Sequence, residues 1–367
     1  MKSRAVVQVG DRHLEMQEVE VPRSRPDEAL LRVESCGLCG SDVEQFRGLF
    51  VKKGIVVYPV IPGHEPIGVI EEIGPEAAKR WRVKVGDRVA IEPNISCGLC
   101  AKCLGGSGHL CRNKESGMSA YGYMTMKGGS GLWGGYSQYM HLQSNTVLHP
   151  VPPEIPLALA SIYQLLASGI RWAVEMPRTA IGDSILILGC GQRGLGSVVA
   201  CREAGAATII VSGLKQDRHK LDLALALGAT HTIVADQEDV VARVMEITRG
   251  QGVNTVVDVV PVATQPVVQA LDMVMLGGTV ILAGIKGGDA KTMLDTDKIV
   301  LREIKVQGVL TQTNSSYRKA IQMLAQNKYD LGRLHTHEFK LEQAEEAIAT
   351  LAGEIPDRPA ISVSLNP

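Results

Sequence analysis

The run Cys97-x-x-Cys100-x-x-Cys103, closed by Cys111, places four thiols in one short glycine-rich stretch. Thiolates at such spacing can close a tetrahedron around Zn²⁺, and a metal with four protein ligands keeps no position for substrate. The role this points to is structural. A bacterial iron–sulfur run shares the C-x-x-C steps but reaches its fourth cysteine after three residues and follows it with proline. Here the gap is seven residues, which favours zinc. Unpaired core cysteines are the plain alternative, and four of them in one glycine-rich loop argue against it.

A second set is dispersed: Cys36-Gly37-Leu38-Cys39-Gly40-Ser41-Asp42, then Gly63-His64-Glu65-Pro66. One thiolate, one imidazole and one carboxylate (Cys39, His64, Glu65) make a mixed ligand set that can leave a zinc position for water or substrate. Taken alone, His64 reads equally as a satisfied core histidine and Glu65 as a solvated charge.

The third signal is Gly189-Cys190-Gly191-Gln192-Arg193-Gly194, between an apolar run (Ser184 to Leu188) and a helical stretch to Glu203. Its first glycine permits a tight turn, its second lets a pyrophosphate approach the backbone, and its third lets helix and strand pack closely. Gln192 and Arg193 open the helix whose free N–H groups would face the phosphates. The end of the next strand discriminates the two nicotinamide cofactors, because an acid there binds the ribose diol and a cation accommodates the extra phosphate of NADP. The sequence there is Ser212-Gly213-Leu214-Lys215-Gln216-Asp217-Arg218. Ser212 with Lys215 or Arg218 suits the phosphate, Asp217 suits the diol, and a solvated loop suits neither. NAD and NADP both stay open.

These residues need elements to hold them. From Ala5 to about Val151 apolar residues alternate in short runs (Ala5 to Val9, Ala29 to Val33, Val69 to Ile73, Asp87 to Ile91), which predicts half-buried strands of a small β-rich domain. A proline cluster, Val151 to Pro156, interrupts the pattern. Beyond it, continuous β-branched runs alternate with helical stretches: Thr208 to Val211, His231 to Val234, Thr255 to Val260, Gly278 to Ala283 and Ile304 to Leu310. Strands buried on both faces imply an α/β, doubly wound parallel sheet with crossover helices. The tail returns to helices (Arg318 to Gln326, Leu341 to Leu351) and a final strand, Ala360 to Val363.

At 367 residues the chain predicts about two domains. Its 38 Lys+Arg against 39 Asp+Glu leave no basic excess, so nucleic acid is not expected as a partner. No uninterrupted apolar run nears the ~18 residues of a membrane span, and no signal peptide is evident. A cytoplasmic protein is expected, where disulfides are disfavoured.

Together the motifs resemble the zinc-dependent medium-chain dehydrogenase/reductase family, which includes alcohol, polyol and threonine dehydrogenases. The matching pieces are Cys39-Gly40-Ser41-Asp42, Gly63-His64-Glu65-Pro66-x-Gly68, Gly86-Asp87-Arg88-Val89, the four-cysteine lobe and the glycine turn, in the family's order and across nearly the whole chain. The resemblance implies a Rossmann domain (residues 156–311) inserted into a GroES-like catalytic domain (residues 1–155 and 312–367). It makes Cys39 and His64 catalytic zinc ligands, Glu65 an exchangeable one, and Gln164 the nearest match to the remaining ligand position, where an amide oxygen is a weaker donor. Ser41 matches the proton-relay hydroxyl, and Asp42 the carboxylate that orients the zinc histidine. Glu44 stands where many members have a relay histidine.

The implied function is a zinc alcohol dehydrogenase moving hydride between a secondary, alicyclic or benzylic alcohol and NAD or NADP, with one catalytic and one structural zinc per chain. A sugar or polyol dehydrogenase is the alternative within enzymes, and a non-enzymatic nucleotide-binding scaffold the alternative outside them. Phe50, Tyr121, Trp133 and Tyr163 are candidate substrate contacts. The family implies a homodimer or homotetramer, with Ile304 to Leu310 as a candidate edge strand or, equally, an interior one.

Overall fold

The computed structural model describes residues 1–111, 120–287 and 290–367. They form two compact units: Met1–Tyr163 with Ile321–Gln326 and Leu334–Pro367, and Gln164–Ala320 with Asn327–Arg333. The boundary therefore falls after Tyr163 rather than at residue 155, and parts of the 312–367 tail sort with the second unit.

The first unit is built on a seven-stranded sheet whose central strand, Ala29–Leu38, pairs antiparallel with Glu65–Ile73, Tyr139–Leu142 and the C-terminal Ser362–Asn366. The tail thus closes back on the N-terminal half, with Val363 opposite Leu38 and Leu365 opposite Cys36. A register shift between Val33 and Ser35 marks one extra residue in the central strand. Because side chains alternate with period two, that bulge re-aims the strand end. Before it, Leu31 and Val33 enter one apolar cluster; after it, Cys36 and Leu38 enter another. A hairpin of Lys2–Gly10 and His13–Glu20 packs alongside.

The second unit holds a six-stranded sheet, all parallel, in the order His231–Val234, Thr208–Gly213, Ser184–Leu188, Val253–Asp258, Val274–Leu282, Lys305–Gly308. The order reverses between Ser184–Leu188 and Val253–Asp258, and such a switch point is where doubly wound sheets bind ligands. Leu186, Ile210, Ile233, Val256 and Val280 form its core with Val244 and Leu271 of the crossover helices. Lys305–Gly308 is the edge strand.

The helical stretch Leu157–Glu175 is apolar overall. Its mean hydropathy of 1.3 over a membrane-spanning length is high although Ser, Gln and Gly break every apolar run. Two-thirds of it is buried within the protein, which makes it a core helix by packing.

Candidate active site

Antiparallel pairing brings the dispersed set together. Gly37 lies opposite Glu65 and Cys36 opposite Pro66, so Cys39, just past one strand, and His64, just before the other, become neighbours. Cys39 caps the helix Gly40–Phe46, and its backbone N–H donates to Asp42 Oδ2 at 2.8 Å. Gly63 makes the approach possible: its φ is +90°, and a Cβ there would lie 2.4 Å from the Tyr136 ring.

Ligand atoms of Cys39, His64 and Glu65 lie within 4.8 Å of one another, and all three residues are buried. Cys39 Sγ is 3.3 Å from His64 Nε2, and Glu65 Oε1 is 3.7 Å from the same nitrogen. A buried thiol, imidazole and carboxylate converging on one point fit a divalent metal of intermediate softness such as Zn²⁺. Ser41 Oγ stands 2.8 Å from Cys39 Sγ. Burial opposes the Asp42 carboxylate, but the His64 imidazole and the Cys39 N–H outweigh it and hold Asp42 below its ordinary value. Burial raises Glu44, against the pull of Lys53 and Arg47. Gln164, at the start of the second unit, is buried, and its Oε1 has no hydrogen-bond partner among the described residues.

The site also contains a residue that sequence reasoning missed. Tyr123 Oη lies 3.3 Å from His64 Nδ1 and 3.4 Å from Ser41 Oγ. Its ring packs on His64 and on Phe50, at centroid distances of 5.1 and 5.7 Å. Desolvation raises its phenol pKa, so the hydroxyl keeps its proton. Of the four aromatic candidates, Phe50 reaches the site through Tyr123. Tyr121, Trp133 and Tyr163 are core residues, with their polar atoms bonded to Thr146, Gly128 and Ile91.

The four-cysteine lobe has sulfur–sulfur separations of 3.5 Å (Cys100 to Cys103) and 3.8 Å (Cys97 to Cys103, Cys100 to Cys111). Zinc–sulfur bonds of ~2.3 Å in a tetrahedron give edges of ~3.8 Å, so the lobe fits zinc and is too open for disulfides of ~2.05 Å.

In the second unit the glycine turn has the expected build. Gly189 has φ +103° and donates its N–H to the Ser212 carbonyl. A Cβ on Gly194 would sit 2.0 Å from the Gly189 oxygen, while Gly191 has open space. Gln192 is buried, and Arg193 is held by Ser168 Oγ at 2.8 Å. At the neighbouring strand end Ser212 is buried and Lys215 exposed, with the Lys215 N–H on Asp236. Asp217 pairs with Lys220 at 2.7 Å and Arg218 with Asp222 at 3.2 Å. A further residue emerges here: Asp258, fully buried at the end of its strand, has its carboxyl pKa raised by burial against the counter-effect of Lys286 at 2.6 Å.

Comparison with known proteins identifies the family. The family described as "Alcohol dehydrogenase GroES-like domain" matches residues 25–153, and "Zinc-binding dehydrogenase" matches residues 194–326. A Mycobacterium tuberculosis protein named "Probable alcohol dehydrogenase adh" is 37% identical, covering 99% of this chain and 98% of its own. The sorbitol dehydrogenase of Bacillus subtilis is 30% identical over 94% of this chain and 92% of its own. Among solved structures, a Sinorhizobium meliloti protein described as a "putative zinc-binding dehydrogenase", bound to NADP, superposes with TM-score 0.86 at 27% identity, covering all of both chains. With a GroES-like unit carrying two metal-competent clusters, a Rossmann unit carrying the dinucleotide turn, and full-length kinship to alcohol and polyol dehydrogenases, the chain belongs to the zinc-dependent medium-chain dehydrogenase/reductase family of oxidoreductases.

Proposed function

We propose that the protein interconverts a secondary, alicyclic or benzylic alcohol and its carbonyl, using zinc at Cys39, His64 and Glu65 and a nicotinamide dinucleotide at the Gly189–Gly194 turn. The observation that carries this reading is the Ser41 hydroxyl, 2.8 Å from the Cys39 sulfur in a buried thiol–imidazole–carboxylate set. When bound, zinc supplies positive charge to the substrate oxygen, and nicotinamide takes or gives the hydride. Ser41 would relay the proton leaving the alcohol, releasing its own outward as it accepts, and run the relay backwards during carbonyl reduction. Asp42 fixes the Cys39 backbone and Glu65 is the ligand that exchanges, while Gln164 is a candidate for the remaining ligand position by the family resemblance alone. From Ser41 the proton leaves through the half-buried Glu44 of the same helix or through solvent. Cys97, Cys100, Cys103 and Cys111 hold the structural zinc.

An apolar cluster reaches the metal set and supports this substrate class: Phe50, Val56 and Val60 pack with Ile55, Tyr58 and Tyr123, whose ring lies on His64. A polyol dehydrogenase is the second reading, supported by the sorbitol dehydrogenase relative. NADP is the preferred cofactor: Ser212 rather than an acid ends the strand, Lys215 is exposed, and the Asp217 carboxylate is engaged by Lys220. The NADP-bound relative supports the same choice. Free thiols at metal spacing suit a cytoplasmic location, and the exposed edge strand suits a homodimer or homotetramer.

Metal analysis combined with a nicotinamide-absorbance screen tests the reading. Two zincs per chain and reduction of NADP by an alicyclic or benzylic alcohol are expected, with NADPH bound more tightly than NADH. Fewer than two zincs and no reduction of either cofactor would instead favour a nucleotide-binding scaffold.

A further inference from the structure

We propose that Tyr123 is a positioning residue, whose hydroxyl sets the direction of the Ser41 hydroxyl and, together with Asp42, the orientation of the His64 ring. The proposal rests on the dehydrogenase reading of the Cys39 site and adds to it a residue that no motif marks.

The hydrogen bonds have one consistent polarity. His64 Nε2 faces Cys39 Sγ, Ser41 Oγ and Glu65, so Nε2 is the nitrogen available to a metal and Nδ1 carries the proton. A ligating histidine is oriented by the partner of its other nitrogen. Two groups share that place. Asp42 Oδ1 lies 3.5 Å from Nδ1 and draws it by charge, while its Oδ2 accepts from the Cys39 N–H. Tyr123 Oη, at 3.3 Å on the same nitrogen, accepts from the Nδ1–H beside it.

Having accepted there, Tyr123 donates its single proton to Ser41 Oγ at 3.4 Å. Ser41 then directs its own proton away from Tyr123, toward the Cys39 sulfur and the place of the substrate oxygen. Donor chains polarise one another, so Ser41 becomes the stronger donor to a carbonyl oxygen that gains negative charge. The ring contacts with His64 and Phe50 keep the hydroxyl in place.

Tyr123→Phe removes the hydroxyl and keeps the ring. The expected result is a roughly tenfold fall in kcat/KM, carried by kcat with KM within about twofold, at unchanged zinc content. By the fixed equilibrium constant the fall is equal for oxidation and reduction. In a Ser41→Ala background the same substitution costs little more, because the partner is already absent. A Y123F enzyme within twofold of wild type overturns the proposal, as does an equal tenfold loss in both backgrounds. Cobalt(II) loaded at the Cys39 site provides a readout without substrate: its visible absorption is expected to shift in Y123F, and an unchanged band overturns the His64 contact. A wild-type protein that binds cobalt but turns over no alcohol counts against the dehydrogenase reading alone, since the cobalt comparison still reports on Tyr123.

Discussion

A thiol that ligates metal must lose its proton, and the two cysteine sites meet that requirement differently. At Cys97 the N–H groups of Leu99 and Cys100 hold the thiol down to about 6, whereas burial and the Cys100 contact push Cys103 up to about 11. Removing any one of the four breaks the tetrahedron, so Cys103→Ser is expected to release one of two zincs and lower Tm. Cys39→Ala is expected to release the other and cut turnover by more than about 100-fold, with a smaller change in Tm; metal analysis beside calorimetry separates the two. His141 gives a pH effect of defined sign. Burial holds its imidazole below the ordinary 6.5, against the pull of Glu28 at 3.1 Å. Its contribution to stability is therefore complete above 6.5 and lost as pH falls through the lowered value. His141→Gln is expected to flatten the fall of Tm between about pH 7 and 5. The cysteines were legible in the sequence because their spacing is local. Tyr123 was not, since its contacts with Ser41 and His64 span 82 and 59 positions.

Strands and turns decide whether these groups meet at all. The bulge between Val33 and Ser35 and the pairing of Gly37 with Glu65 bring Cys39 beside His64, a relation that period-two alternation alone does not reveal. The parallel sheet was more legible: Ser184–Leu188 and His231–Val234 match their apolar runs because both faces are buried. His13–Glu20 and His335–Lys340 escaped notice because they are mostly exposed and rich in charge, so burial leaves little imprint on their sequences. Two glycines in the dinucleotide turn can be separated by experiment. Gly194→Ala would drive a Cβ to 2.0 Å from a backbone oxygen, so it is expected to lower Tm and dinucleotide affinity together. Gly191→Ala meets nothing within 4 Å, so Tm should hold while affinity falls, because the methyl occupies the phosphate's approach. Fluorescence titration with NADPH beside a thermal melt checks both. A Gly191→Ala protein that binds as wild type does would remove the turn from the cofactor site.

The length of the chain announced about two folding units but not their interleaving, which arises because Ser362–Asn366 completes the sheet begun by Ala29–Leu38. That completion also covers one edge of the central strand, whereas the second unit ends its sheet at Lys305–Gly308 with three of four residues exposed. An open edge is a template for pairing with another chain. Large apolar side chains accompany it: Leu276 is 69% exposed, Val300 71% and Leu301 81%, and the Gly277 N–H donates to the Arg302 carbonyl, which brings the loop of Leu276 beside the helix of Val300 and Leu301. Scattered apolar residues need no explanation, but a cluster beside an unpaired strand does. Pairing of two copies across this edge would bury all three and extend the sheet. Sedimentation at micromolar concentration is therefore expected to give a dimer or a tetramer, and Val300→Asp with Leu301→Asp is expected to halve the mass while both zincs are retained. A wild-type monomer, or a doubly charged variant that sediments as wild type does, would leave the edge without this role.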